Sequence, residues 1–492
     1  MDKKIPTDNL TEKQKDYATF LPAMSSFFAR DLGKARHEED YIKPERVPQN
    51  FEHGVEGLNY TKSKDTYFYY KWHLYSAGHA DLNMKKFSVR DDIIRNRDRN
   101  DNWLLGDSGG FQIGKGVWEG DWKDPSCPKA KKKREQVLEF MDHNMDYGMI
   151  LDIPAWVSRS PQGAKASNIN SYQEAVDGTK INNDYFMKNR NGNCKFLNVL
   201  QGENFQQADD WYAQMKDYCD PKKYPSTHFN GWAMGGQNMC DIHLALKRLV
   251  ALRFDGLLEK GKHDVMHFLG TSKLEWAVLL TDVQRAIRKY HNENFMITFD
   301  CASPFLASAN GQVYTDIEIK DKAKWVYRMM ASADDKGFAK ETKSFRDAVL
   351  EKGIFPAFRD SPVSARLMLK DITCYNPGDL NKMGNDPKTS WDSFSYTLQM
   401  AHNVWMHITA VQEANQMYDK GINPKMLVQE QFDRIAFKDI VNAVFATSSR
   451  DEANAVIEEF QRFWMSIIGT RGATGKKTVN ASTQFQNLFE EV

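Results

Sequence analysis

Short apolar runs that stop at a glycine or a polar side chain recur along this chain, and no other feature restricts its fold so strongly. They occupy residues 103–106, 149–152, 196–202, 231–236, 265–270 and 295–300, and an earlier run at 67–75 ends in Ser76-Ala77-Gly78-His79. Segments of helical character lie between them. In 272–291, Ser272 and Glu275 make a capping-box pattern, and Trp276, Leu280, Val283 and Ile287 form one apolar face. Strands alternating with helices, with the unusual residues at the strands' C-terminal ends, predict an α/β protein built as a (β/α)8 TIM-type barrel. A doubly wound open sheet alternates in the same way and stands as the competing architecture. The 492 residues leave room for insertions. The expected organisation is a catalytic barrel over 1–420, opening on ~60 irregular residues, and a helical C-terminal extension over 421–492.

The 66 basic and 66 acidic side chains cancel, so any contact with a polyanion must rest on local patches. The best candidate is KAKKKR at 129–134, with Lys129, Lys131, Lys132, Lys133 and Arg134; a second lies at 471–477. A solvated helix face or loop is the bland alternative for both. The six cysteines are dispersed, none at CxxC spacing, as expected in a reducing compartment. No apolar leader core and no run of about 18 apolar residues is present, so a cytoplasmic protein without a membrane partner is expected.

Asp107 and Asp300 each end an apolar run: Asp107 is followed by Ser108-Gly109-Gly110-Phe111-Gln112 and Asp300 by Cys301-Ala302-Ser303-Pro304. Two carboxylates across a barrel mouth suit nucleophile and general acid/base roles in displacement at a sugar anomeric carbon. Taken singly, either aspartate reads as a cap. Asp152, Gln201-Gly202 and Gly235-Gly236 stand at further strand ends. An acid, an amide and open backbone N–H groups complement a guanine-type edge, and glycines let the backbone approach a flat ligand; Phe111 offers a stacking face. No Cys/His set with zinc spacing can be assembled, and His402, on a helical stretch with His407, reads as a packing residue. Phosphate-loop and dinucleotide fingerprints are missing, so no metal and no cofactor is expected.

These motifs resemble the tRNA-guanine transglycosylase family. DSGGFQ at 107–112 matches its hallmark, and Val199-Leu200-Gln201-Gly202, Gly231-Trp232-Ala233-Met234-Gly235-Gly236, Phe299-Asp300-Cys301, Asn310-Gly311-Gln312 and Ala401-His402-Asn403 follow in the family's order. The resemblance implies a (β/α)8 barrel and base exchange by double displacement. It makes Asp300 the nucleophile and Asp107 the general acid/base, with Asp152, Gln201, Gly235 and Gly236 on the base edge and Ser108 and Phe111 lining the pocket. Alignment on Gly270 puts His267 where the family has a methionine below the base. The family's CxCxxC zinc cluster is absent, and its PTRxxR arginines are replaced by Pro304-Phe305-Leu306-Ala307-Ser308-Ala309. That split is similar to the phage-type 7-deazaguanine DNA transglycosylases, which implies DNA as partner and a 7-deazaguanine such as preQ0 as small-molecule substrate. A tRNA transglycosylase without zinc, a non-catalytic nucleic-acid-binding subunit and, more remotely, a glycoside hydrolase are the competing readings. The oligomeric state is left open.

Overall fold

Strand and helix alternate along most of the chain in the computed structural model, which describes residues 5–320, 322, 324–373, 390–428 and 435–468. Eight parallel strands make one sheet: β1 (Thr19–Pro22), β2 (Trp72–Ser76), β3 (Trp103–Asp107), β4 (Tyr147–Met149), β5 (Lys195–Leu200), β6 (Gly231–Met234), β7 (Val265–Phe268) and β8 (Met296–Cys301). Neighbours follow chain order from β2 to β8, and β8 then pairs with β1, Thr298 beside Thr19 and Cys301 beside Pro22. A parallel bridge between Ala23 and Leu74, with the Met24 N–H donated to the Leu74 carbonyl at 2.9 Å, closes the ring. An open doubly wound sheet would leave two free edges, so the barrel reading holds.

The first ~60 residues are not the irregular segment expected. They hold β1 and helix α1 (Ser26–His37), because a four-residue run too short to stand out is paired on both sides by strands from elsewhere. Helices α2 (Pro128–Asn144), α3 (Tyr172–Asn189), α4 (Phe205–Met215), α5 (Ile242–Phe254) and α6 (Leu274–Tyr290) follow β3 to β7 in turn. After β8 come the short α7 (Ser303–Ala309), the antiparallel hairpin β9 (Gln312–Ile319) and β10 (Trp325–Ala331), and α8 (Phe345–Glu351). The 27-residue α9 (Ser393–Asp419) then returns along the barrel. Helices α10 (Phe437–Ala446), α11 (Arg450–Glu459) and α12 (Gln461–Ile468) form the helical C-terminal region. α10 packs on α6 and α11 on α5, while Arg253 of α5 donates to the carbonyls of Phe445 at 2.8 Å and Thr447 at 2.9 Å. The 471–477 patch and Cys374 lie outside the described residues. Among the described residues no helix is long and apolar enough to cross a membrane.

Strand alternation decides which side chains reach the barrel mouth. In β8, Phe299 meets Phe20 of β1 with ring centroids 5.6 Å apart, and Phe20 stacks on His407 of α9 at 4.5 Å, so that face packs against helices. Thr298 and Asp300, one step out of phase, therefore face the barrel axis. In β3 a Cβ at Gly106 would collide with Met141 of α2, which leaves Leu105 and Asp107 facing inward. In α6 the expected apolar face is buried, but the N-cap is Lys273 and no side chain caps the helix. Ser272 serves the hairpin, its carbonyl accepting from the Tyr327 hydroxyl at 3.2 Å.

Candidate active site

Every polar residue singled out at a strand end stands at the C-terminal mouth of the barrel, the face where such barrels assemble their chemistry. Asp107 is the last residue of β3. Its Oδ2 accepts from the hydroxyl of Ser76, the last residue of β2, at 2.5 Å. Burial pushes its pKa above the usual carboxylate value; the Ser76 hydrogen bond opposes that rise, and the nearby charge of Asp300 adds to it. Asp300, on β8, is 3% exposed, and its Oδ1 faces the Gly270 N–H at 2.9 Å and His267 Nε2 at 3.1 Å. A carboxylate oxygen only accepts, so Nε2 carries the imidazole proton, and the Thr298 hydroxyl at 2.9 Å donates to Nδ1. His267 is fully buried with both nitrogens engaged. Its two ring nitrogens are turned to Thr298 and Asp300.

The second cluster spans the ends of β4 to β6. Asp152 is 7% exposed, and its Oδ2 accepts from Gln201 Nε2 at 2.7 Å. Burial raises its pKa to about 7, against the Gln201 hydrogen bond and with help from the charge of Asp107. Gly235 and Gly236 lie directly against the Gln201 amide: a Cβ at Gly235 would sit 2.9 Å from Nε2. Gly236 has φ +54°, and a Cβ there would collide with the Gly202 carbonyl, so two independent constraints demand glycine. Asn238 fastens this turn, its Nδ2 donating to the carbonyls of Gln201 and Gly235 at 3.2 Å each. Phe111 is half-buried and packs edge-on against Trp156, centroids 5.4 Å apart, with the Lys115 ammonium 5.6 Å from its own ring centre. Ser108 is buried beside Asp107.

The basic run at 129–134 divides around α2. Lys131 and Lys132 are exposed, and Lys129 pairs with Glu119 at 2.8 Å. Lys133 is half-buried, its ammonium 4.9 Å from the Trp118 ring centre. Arg134 is 1% exposed, and its Nε donates to Asn182 Oδ1 at 2.6 Å. The helical period turns Arg134 into the core, so it cannot contact phosphate as expected. His402 is a packing histidine: Nδ1 meets Ser361 Oγ at 2.9 Å, and Nε2 donates to the Tyr314 carbonyl at 2.8 Å. Its neighbour Asn403 bonds the Tyr314 N–H at 2.8 Å and Ser308 Oγ at 2.9 Å, so His402 pins β9 to α9 and Asn403 pins both α7 and β9.

Ser76, Thr298, Gly270 and Trp156 were not assigned from the sequence. Ser76 had a signal, since it closes an apolar run followed by a glycine. Thr298 and Asp300 share a face two residues apart in one strand, which is a second. Among the described residues no group of three or more His, Cys, Asp or Glu side chains is arranged to hold a metal ion. No protein-family model matches the chain, and no curated protein matches it either.

Proposed function

We propose that this protein is a base-exchange glycosyltransferase that replaces guanine in DNA with a 7-deazaguanine through a covalent aspartyl intermediate. The observation that carries the reading is the pairing of two differently held acids. Asp300 is oriented through Oδ1 by a backbone N–H and an imidazole, while Asp107 has a raised pKa and is held by the Ser76 hydroxyl and the Gly109 backbone. With Oδ1 held, Asp300 Oδ2 attacks C1′ as the C1′–N9 bond breaks, and Asp107 delivers its proton to the departing guanine. The incoming 7-deazaguanine then returns a proton to Asp107. Its N9 takes C1′, and the Asp300 ester bond breaks with its electron pair going back to the carboxylate. Asp152 and Gln201 accept from and donate to the base edge, with the Gly235-Gly236 backbone beneath it and Phe111 at its side.

The preference for DNA rests on the polymer-handling motifs. The segment between the FDC and NGQ matches folds as α7, with Pro304, Phe305, Ala307 and Ser308 buried, so it presents no arginine to a tRNA backbone. A flipped nucleotide costs a few kcal/mol of lost stacking, which contacts elsewhere must supply.

The test is incubation of the protein and a 7-deazaguanine with guanine-labelled DNA and, separately, guanine-labelled tRNA. Release of label from DNA is expected. Release from tRNA alone would sink the DNA reading, and release from neither would favour a non-catalytic binding subunit. Asp300→Asn is expected to lose both exchange and trapped protein–DNA adduct; an adduct that persists assigns the nucleophile elsewhere.

A further inference from the structure

A cleft of about 550 Å³ opens beside the Asp107 strand end, and its charge is out of keeping with a chain of zero net charge. α1 lends it Arg30 and Lys34, the loop after β2 lends Lys86 and Arg90, and α2 lends Lys133; Asp81 is the one carboxylate on the wall. Little of this charge is neutralised. Lys34 approaches Glu38 at 3.7 Å, and the Arg90 guanidinium donates to the His79 carbonyl at 2.9 Å. Arg30 lies 5.4 Å from the Phe27 ring centre, and no carboxylate of the described residues pairs with it or with Lys86. Burial, with a smaller part from the neighbouring charge of Lys132, lowers the pKa of Lys133.

Phe87 lines the same cleft and is 57% exposed, its ring edge-on to His37 with centroids 4.9 Å apart. A large exposed aromatic on a cationic groove is the pairing by which proteins hold single-stranded nucleic acid: cations follow the backbone and the ring stacks a base. The cleft also touches the proposed active site. A Cβ at Gly109, two residues after Asp107, would lie 2.7 Å from Gly78 Cα and 2.8 Å from the Trp118 ring, and both Gly78 and Trp118 line the cleft.

We propose that this cleft binds the nucleotide adjoining the exchanged one, with Arg30, Lys86 and Arg90 on its phosphates and Phe87 stacked on its base. The assignment rests on the functional reading above for the strand's entry at the barrel mouth. The test uses the full-length protein and a fluorescent single-stranded oligonucleotide carrying one guanine, titrated across a salt series by anisotropy. Arg30→Ala with Lys86→Ala is expected to weaken binding about tenfold or more and to reduce the slope of log affinity against log salt by about 1.4, or about 0.7 per lost phosphate contact. Phe87→Ala is expected to weaken binding by about 5-fold to 100-fold with the slope unchanged. Lys188→Ala with Lys222→Ala, two exposed lysines at the opposite end of the barrel, should leave the slope as it was.

A double variant that melts like wild type yet keeps its affinity and slope overturns the proposal. So does a control pair that loses as much, or a 5′-mononucleotide that binds as tightly as the oligonucleotide. Binding is read without turnover, so the two claims separate. Exchange that proceeds while the cleft variants bind normally refutes the cleft alone; cleft-dependent binding without exchange on any substrate refutes the proposed reaction alone.

Discussion

Asp152 carries a consequence for pH that can be worked out in sign. Its pKa lies near 7 in the folded protein and near the usual 3.9 in an unfolded chain, so between those values the folded state holds a proton that the unfolded state has released. The contribution of this group to stability therefore falls as pH rises from about 4 to about 7, by on the order of a few kcal/mol at most. Asp152→Asn should flatten the fall of melting temperature with pH over that window, and an unchanged profile would count against the assignment. In the proposed reaction the ionised form is also the stronger acceptor of N–H groups from a base edge. Affinity for a free 7-deazaguanine should thus strengthen as pH rises through about 7, and calorimetry on Asp152→Asn should lose that dependence. In the proposed reaction His267 orients Asp300, which it contacts at 3.1 Å, so His267→Ala should lower kcat by roughly 10- to 100-fold with little change in KM, the pattern of a lost orienting contact. His267→Gln, which can still donate, should recover part of it; full kcat in the alanine variant would refute the positioning role.

At the scale of elements, the loop after β3 fits its surroundings with no spare room. A Cβ at Gly110 would collide with the Asp152 carbonyl, a backbone atom that cannot turn aside. Gly110→Ala should push the β3 and β4 loops apart, cost about 1–3 kcal/mol as other overpacked sites do, and reduce exchange through both Asp107 and Asp152. A denaturation curve and a rate together check it. Elements of this kind were legible in the sequence because their signals are local: β3 and β8 are apolar runs that end at an acid, and α9 is a long unbroken helical stretch. β1 was not. Thr19-Phe20-Leu21-Pro22 is four residues long and ends in proline, and its strand character comes from β8 on one side and β2 on the other. The same division runs through the proposed site. Asp107, Asp152 and Asp300 could be named from their own flanks. The role of His267 follows from its lateral register with Thr298, and the burial of Arg134 from the angular phase of α2, neither of which is written at one position.

The molecule as a whole is fastened by residues far from the barrel mouth. Arg366, beyond the hairpin, makes a two-pronged contact with Glu52 at 2.6 and 2.9 Å and donates to the Ile5 carbonyl at 2.6 Å, so it ties the segment between α8 and α9 to the N-terminal residues. This Arg366 contact holds the Glu52 carboxyl at about 2, so its contribution is present above pH ~4.5 and fades as pH falls toward 2. Glu52 is already about one-third exposed with the arginine in place, so removing the arginine leaves its carboxylate open to water. Arg366→Ala should therefore cost about 2 kcal/mol, less than the ~3–5 of a fully buried pair, with the loss smaller at pH 3 than at pH 7 in urea melts.

The closure of the barrel through β1 also sets an order of events during synthesis. The first barrel strand to leave the ribosome finds its main partner only in β8, the last barrel strand to emerge. At ~5–20 residues per second that partner arrives on the order of tens of seconds later. Until then Phe20 and Leu21, both fully buried in the finished protein, have only the short β2 bridge beside them, and the growing chain carries an unfinished ring whose edge can pair with another chain.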